Sequence, residues 1–404
     1  MIVFLTAADT DLLTLRKAVQ ELDGSVGPVR AANIRQFRDE AQVREYCRGT
    51  LAQAGLVILR LLGGKNHFQH GFDALTAFCR EKRIPLVAIP GDTDIDPELT
   101  AACTVPLVAV NQIFEYLTLG GVENFVQMLR YASDAVLKTA HGFQSPQAVP
   151  LHGLYQPAGM EEDPSLPAAG IVFYRAHWMC GDTGFVDAMA RALRAQGLHA
   201  RAVFCYSLKH SIGGSGESQG LRDIFERYFA AAPGRPAVRA VISLLSYTVA
   251  ELETQGAVQA GGDAVHFLSE WRVPVFQAVV CGTSRAQWAE SPSGLTPRDT
   301  AMKVALPEFD GRILTYVAAF TEKQEESGLG AEVARIMPDS GRMDAMACFV
   351  KNWVRLGMLP PSQKKLAIIL TNFPNKNARI GNAVGLDTPA SAIALLRALA
   401  PEDR

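Results

Sequence analysis

The chain has 404 residues, 48% of them hydrophobic and 20% charged, which is enough for two or three domains that each bury a core. Its 39 basic and 41 acidic side chains nearly cancel, so no electrostatic footprint argues for nucleic acid or an anionic membrane, and a neutral or mixed-charge ligand suits it better. The seven cysteines, at 47, 79, 103, 180, 205, 281 and 348, stand singly without a CxxC pair, as expected for a reducing compartment.

The amino end, "MIVFLTAADTD", has an apolar run but no basic flank, and it meets Asp9 and Asp11 at once; it does not read as a signal peptide. The longest apolar stretch elsewhere, "AVISLLSYTVA", has about half the residues needed to cross a bilayer. A cytoplasmic location with no membrane partner is expected.

"IVFLTA" predicts a strand and "DTDLLTLRKAVQEL" a helix, with Leu12, Leu13, Leu15 and Val19 on or near one face. "GLVILRLLGG" and "IPLVAIPGD" predict buried strands separated by the helical "GFDALTAFCREK". This is the βαβ rhythm of a parallel sheet covered by helices. A helical pattern from about Asn111 to Leu137 closes a first domain, residues 1–138. Pro146, Pro150, Pro157, Pro164 and Pro167 then forbid a continuous helix or central strand, so residues 139–169 are expected to be a Pro-rich linker. The rhythm resumes over 170–404. Strands are predicted at "GIVFYRA", "HARAVFCYS", "AVRAVISLL" and "VPVFQAVV", with helices starting near Thr183, Leu221 and Asp263. "RILTYVAAF" predicts a strand before a long helix near 331–356, and "LAIIL" a further βα unit that starts an incomplete domain from about residue 360. The expected fold class is α/β, with consecutive parallel-sheet, doubly wound, Rossmann-like units.

In open α/β sheets, ligands gather where strands end and helices begin. "RAHWMCGDTG" lies at such a joint and carries Arg175, His177, Cys180 and Asp182. His177 and Asp182 are candidates for ligand contact; Asp182 or Thr183 could instead be a helix N-cap, with His177 a satisfied loop side chain. The spacing does not suit a permanent metal cage. His67 and His70 in "GGKNHFQHG" read as surface histidines, and "SIGGSGESQG" matches no phosphate loop. "LPEFDGRI" places Glu308 and Asp310 in a turn before a strand, where a carboxylate could take a proton. The longest connection, in "LTNFPNKNARIGNAVGLDTPASAIALL", carries Asn375, Arg379, Asn382 and Asp387 among glycines. That composition suits a polar clamp, and Thr388-Pro389 starts the next helix.

The stretches "GIVFYRAHWMCGDTGFVDAMARALRAQGLHA", "LPEFDGRI", "NFPNKNARIGNAVGLDTPAS" and "VILRLLGGKNHFQHGFDAL" resemble the large subunit of aerobic cobaltochelatase, the CobN type, which is related to the large subunit of magnesium chelatase. The resemblance covers essentially the whole chain. It implies insertion of Co²⁺, as substrate metal, into the corrinoid macrocycle hydrogenobyrinic acid a,c-diamide during cobalamin synthesis. ATP would be used by partner subunits, an AAA+ ATPase and a second small subunit, and not bound by this chain. Glu308 and His177 would serve as catalytic groups, and Arg175, Asp182, Asn375, Arg379, Asn382 and Asp387 would hold the ring. Family members are several times longer, and a His-Gly followed by Glu-Trp-Leu-Pro-Gly has no match here, so the chain is expected to be an amino-terminal portion, inactive alone. The alternatives are a magnesium chelatase large subunit acting on protoporphyrin, and a non-catalytic binding or assembly module.

Overall fold

The computed structural model describes residues 1–91, 94–206, 208, 211–212, 218–248, 263–326, 328–371, 381–382 and 384–400. The chain divides into two compact units, Met1–Val354 and Arg355–Arg404.

The first unit begins with β1 (Ile2–Thr6), α1 (Asp9–Leu22), β2 (Val29–Asn33), α2 (Glu40–Gly49), β3 (Leu56–Leu61), α3 (Gln69–Lys82), β4 (Leu86–Pro90), α4 (Pro97–Ala102), α5 (Leu107–Leu119) and α6 (Val122–Ala132). The strands form an all-parallel sheet in the order β2-β1-β3-β4. The sequence reading missed β2 and α2, because "VRAAN" is short and only partly buried. Every residue of β1 and β4 is buried, as continuous apolar runs between two helical layers require. The single helix expected over 111–137 is broken by Gly120 and Gly121, whose φ angles of 70° and 86° lie in the left-handed region; α6 then ends in a π-helical turn, Ser133–Leu137.

The proline-rich stretch contributes β5 (His152–Tyr155). There follow β6 (Ala168–Tyr174), α7 (Arg175–Cys180), α8 (Gly184–Ala195) and β7 (His199–Cys205). Two small antiparallel pairs come next: β8 (Ser211–Ile212) with β9 (Ser218–Gln219) and, after α9 (Leu221–Tyr228), β10 (Ala230–Ala232) with β11 (Arg235–Pro236). Then come β12 (Val238–Ser243), α10 (Asp263–Trp271), β13 (Val275–Cys281), the short helices α11 (Arg285–Glu290), α12 (Pro297–Thr300) and α13 (Leu306–Glu308), β14 (Ile313–Glu326), β15 (Ala331–Pro338) and α14 (Ser340–Met358). The second sheet runs β15-β14-β13-β12-β6-β7-β5. Its interior pairs are parallel, and β15 and β5 are antiparallel edges.

The helix expected over 331–356 is corrected: Ala331–Pro338 is a strand, and the helix starts only at Ser340. β14 and β15 form a long hairpin whose tip reaches the first sheet. Leu329, Ala331 and Val333 are buried in the first sheet's core, and the Ala31 amide donates to the Leu329 carbonyl at 3.1 Å.

The second unit contains α15 (Thr388–Leu399), whose N-cap Asp387 accepts from the Ala390 amide at 3.0 Å. The expected strand "LAIIL" does not form: Leu366–Leu370 has no ladder partner among the described residues and stays exposed.

Candidate functional site

The order β2-β1-β3-β4 reverses direction between β1 and β3, and it is beyond the carboxyl ends of such strands that α/β sheets leave a crevice. A cavity of about 210 Å³ lies there. Thr6 ends β1, Asp11 and Thr14 come from α1, Arg60 and Leu62 from the end of β3, and Gly91 follows β4. Thr118, Gly120 and Gly121 from the α5–α6 corner close one side, and Arg175, Ala176 and Met179 of α7 with Tyr206 after β7 close another. The carboxyl ends of strands from both sheets therefore meet at one place.

Asp11 organises the first-sheet side. One carboxylate oxygen pairs with Arg60 Nη1 at 2.8 Å. The other accepts from Thr6 Oγ1 at 2.9 Å, and Thr6 Oγ1 in turn accepts from the Ala8 amide at 3.1 Å. Arg60 Nη2 donates to the Gly91 carbonyl at 3.1 Å. Gly91 has no room for a side chain, since a Cβ there would stand 2.7 Å from the Leu62 Cα. On the second-sheet side, buried Arg175 donates through Nε to the Pro150 carbonyl at 2.7 Å and through Nη2 to the Leu119 and Val149 carbonyls at 3.1 and 3.0 Å.

Of the residues selected from sequence, Arg175 lines this cavity. His177 and Asp182 stand together beside it in the chain, with Nδ1 of His177 3.8 Å from Asp182 Oδ2. Burial pushes His177 down to about 4, so its ring is neutral at neutral pH and the two do not form an ion pair there; burial also raises the Asp182 carboxyl. Asp182 Oδ2 accepts from the Ile336 amide of β15 at 3.2 Å. Cys180, pushed up by burial to about 12, remains a thiol, and its Sγ donates to the His177 carbonyl. Glu308 is exposed at the end of α13. Its neighbour Asp310 is buried and pairs with Arg312 at 2.7 Å and Thr248 at 2.5 Å. Asn382 and Asp387 are exposed in the second unit, Asp387 as a helix cap; Asn375 and Arg379 lie outside the described residues.

Sequence reading missed Thr6, Asp11, Arg60, Gly91 and Thr118. The available signal was positional: an Asp five residues past β1 and an Arg near the end of β3 lie at the same carboxyl end of the sheet once β1 and β3 pair.

The CobN/Magnesium Chelatase family model matches residues 114–403. The chain is 32% identical to the aerobic cobaltochelatase subunit CobN of Pseudomonas aeruginosa, over 98% of this chain and 31% of that protein. It is 34% identical to the subunit of the same name from Sinorhizobium sp, over 99% of this chain and 31% of that one. Magnesium-chelatase subunit ChlH of rice is 28% identical over 59% of the chain. A solved structure, the catalytic subunit of cobaltochelatase from Mycobacterium tuberculosis, superposes with a TM-score of 0.63 at 30% identity, over 98% of this chain and 30% of that one. The chain thus spans about a third of the length of the CobN relatives it matches. With most of its length matched by the family model and about a third of its residues shared with CobN subunits across nearly all of it, the chain belongs to the CobN/magnesium chelatase family.

Proposed function

We propose that this chain forms part of the macrocycle-binding large subunit of a cobaltochelatase, which inserts Co²⁺ into hydrogenobyrinic acid a,c-diamide while partner subunits, an AAA+ ATPase and a second small subunit, hydrolyse ATP. The observation that carries the reading is the identity to two CobN subunits over 98% and 99% of the chain, against 28% over 59% for the rice magnesium-chelatase subunit. The chemistry asks for groups that strip water from the metal, take protons from ring nitrogens and hold the ring edge. His177 and Glu308 are the proposed proton acceptors. Arg175 and Asp182 would border the ring, with Asn375, Arg379, Asn382 and Asp387 as a clamp for its amides and carboxylates. His177 is neutral at neutral pH, but burial lowers its pKa to about 4, so it would gain strength as a base only where a bound ligand or metal changed its surroundings.

Titration of the protein with hydrogenobyrinic acid a,c-diamide and with protoporphyrin, followed by absorbance, tests the assignment: the corrinoid should bind more tightly. Arg379→Ala should weaken corrinoid binding by about 1.5–3 kcal/mol, the worth of hydrogen bonds to a charged group. Tighter protoporphyrin binding would favour the magnesium chelatase reading, and an unchanged corrinoid affinity in Arg379→Ala would move the clamp elsewhere.

A further inference from the structure

We propose that the cavity between the carboxyl ends of the two sheets is a subsite for a single alkyl carboxylate. Its lining offers donors that no protein acceptor uses. Arg60 Nε and Thr118 Oγ1 are buried without a hydrogen-bond partner. Arg175 spends Nε and Nη2 on three backbone carbonyls, leaving Nη1 unbonded among the described residues. Buried donors such as Arg60 Nε and Thr118 Oγ1 are costly unless something accepts from them.

The charge balance points the same way. Arg60 and Arg175 face a lone carboxylate, Asp11, among the lining residues, and the hydrogen bonds of Arg175 among the described residues go to backbone carbonyls. The surplus is a single positive charge. A monoanion completes it, whereas a phosphate dianion would set a second negative charge near Asp11 with no cation to meet it. Size sets the rest: about 210 Å³ lies below the roughly 300–1,000 Å³ of clefts that enclose drug-sized ligands. The cavity can take a carboxylate and a short alkyl stem, but not a tetrapyrrole ring. The group can arrive on a macrocycle's edge, a source that rests on the chelatase reading, or as a free small carboxylate, which does not.

Thr118→Val separates binding from folding. It keeps the side chain's shape and removes only an unsatisfied hydroxyl, so the ligand-free protein should melt at the same temperature or higher. Propionate, titrated at constant ionic strength against chloride, should bind the wild type saturably and Thr118→Val roughly tenfold more weakly; inorganic phosphate should bind more weakly than propionate. Arg60→Gln should weaken propionate further, but it also strips Asp11 of its ion pair, so Thr118→Val carries the test if that variant does not fold. Loss of affinity in Thr118→Val for both propionate and hydrogenobyrinic acid a,c-diamide, with the two competing, assigns the group to the ring. Loss for propionate alone assigns it to a free carboxylate, and propionate binding with no ring binding at all would sink the chelatase reading while leaving the subsite standing. The subsite is overturned if Thr118→Val changes neither affinity, or if phosphate binds more tightly than propionate.

Discussion

His177 shows how one side chain's surroundings set its chemistry. Its ring stands edge-on to Phe185 at 5.3 Å, its Nδ1 is buried without a hydrogen bond, and burial lowers its pKa from 6.5 to about 4. In the unfolded chain the same imidazole titrates normally, so below pH 6.5 the unfolded state binds a proton that the native state refuses. The stability His177 contributes is therefore intact above pH 6.5 and is lost as pH falls toward about 4, by roughly 3 kcal/mol at most. Asp182 acts with the opposite sign, because its raised carboxyl favours the native protonated form as pH falls. Comparing His177→Gln with wild type cancels the part that does not depend on His177. Urea denaturation across pH 4 to 7 should show the stability of the wild type relative to His177→Gln declining as pH falls; a constant difference would mean that the native ring titrates normally. The sequence identified His177 and Asp182 as a pair worth attention, since both sit at a strand-to-helix joint. It did not show that Asp182 accepts from a β15 amide, because Ile336 is over 150 positions away.

At the scale of elements, the proline-rich stretch after α6 is held in place by amide side chains. Asn124, 2% exposed, donates to the carbonyls of Gly120 and Gln147 at 2.7 and 2.8 Å and accepts from the Gln147 amide at 2.9 Å. Gln127 accepts from the Gln144 amide at 2.8 Å, Tyr116 donates to the Gln144 carbonyl, and Arg175 gathers the carbonyls of Val149 and Pro150. The part of the stretch before β5, which joins no ladder among the described residues, thus borrows partners from α5, α6 and α7, as buried backbone polar groups require. Asn124→Ala should cost about 1–3 kcal/mol in urea denaturation, because it leaves these groups unsatisfied. Gln147→Ala should cost far less, since the bonds to Asn124 use only the Gln147 backbone. The prolines announced a break in regular structure, but the stapling depends on which helix lies alongside and has no local signature.

For the whole molecule, the proposed chelatase must pass a metal on rather than keep it. Among the described residues no group of three or more His, Cys, Asp or Glu could hold an ion, and the Cys180 thiol beside His177 stays protonated, which leaves it a poor ligand. After dialysis against a chelator, elemental analysis should find far less than one ion per chain; a retained stoichiometric ion would overturn this. Sequence alone determined the buried parallel strands β1, β3, β4, β6, β7, β12 and β13, because burial between helical layers imposes continuous apolar runs that can be read locally. It failed at the β14–β15 hairpin. "TEKQEE" is polar and reads as surface, yet it forms an antiparallel ladder, with Glu322 opposite Arg335 and Lys323 bonded to Glu332 at 2.6 Å, and carries Leu329, Ala331 and Val333 into the other sheet's core. Only the tertiary structure decided that strap, and only it decided the cavity, whose lining runs from Thr6 to Tyr206. Both arise from pairing between residues far apart in the chain, and such pairing leaves no periodicity in the sequence from which to infer it.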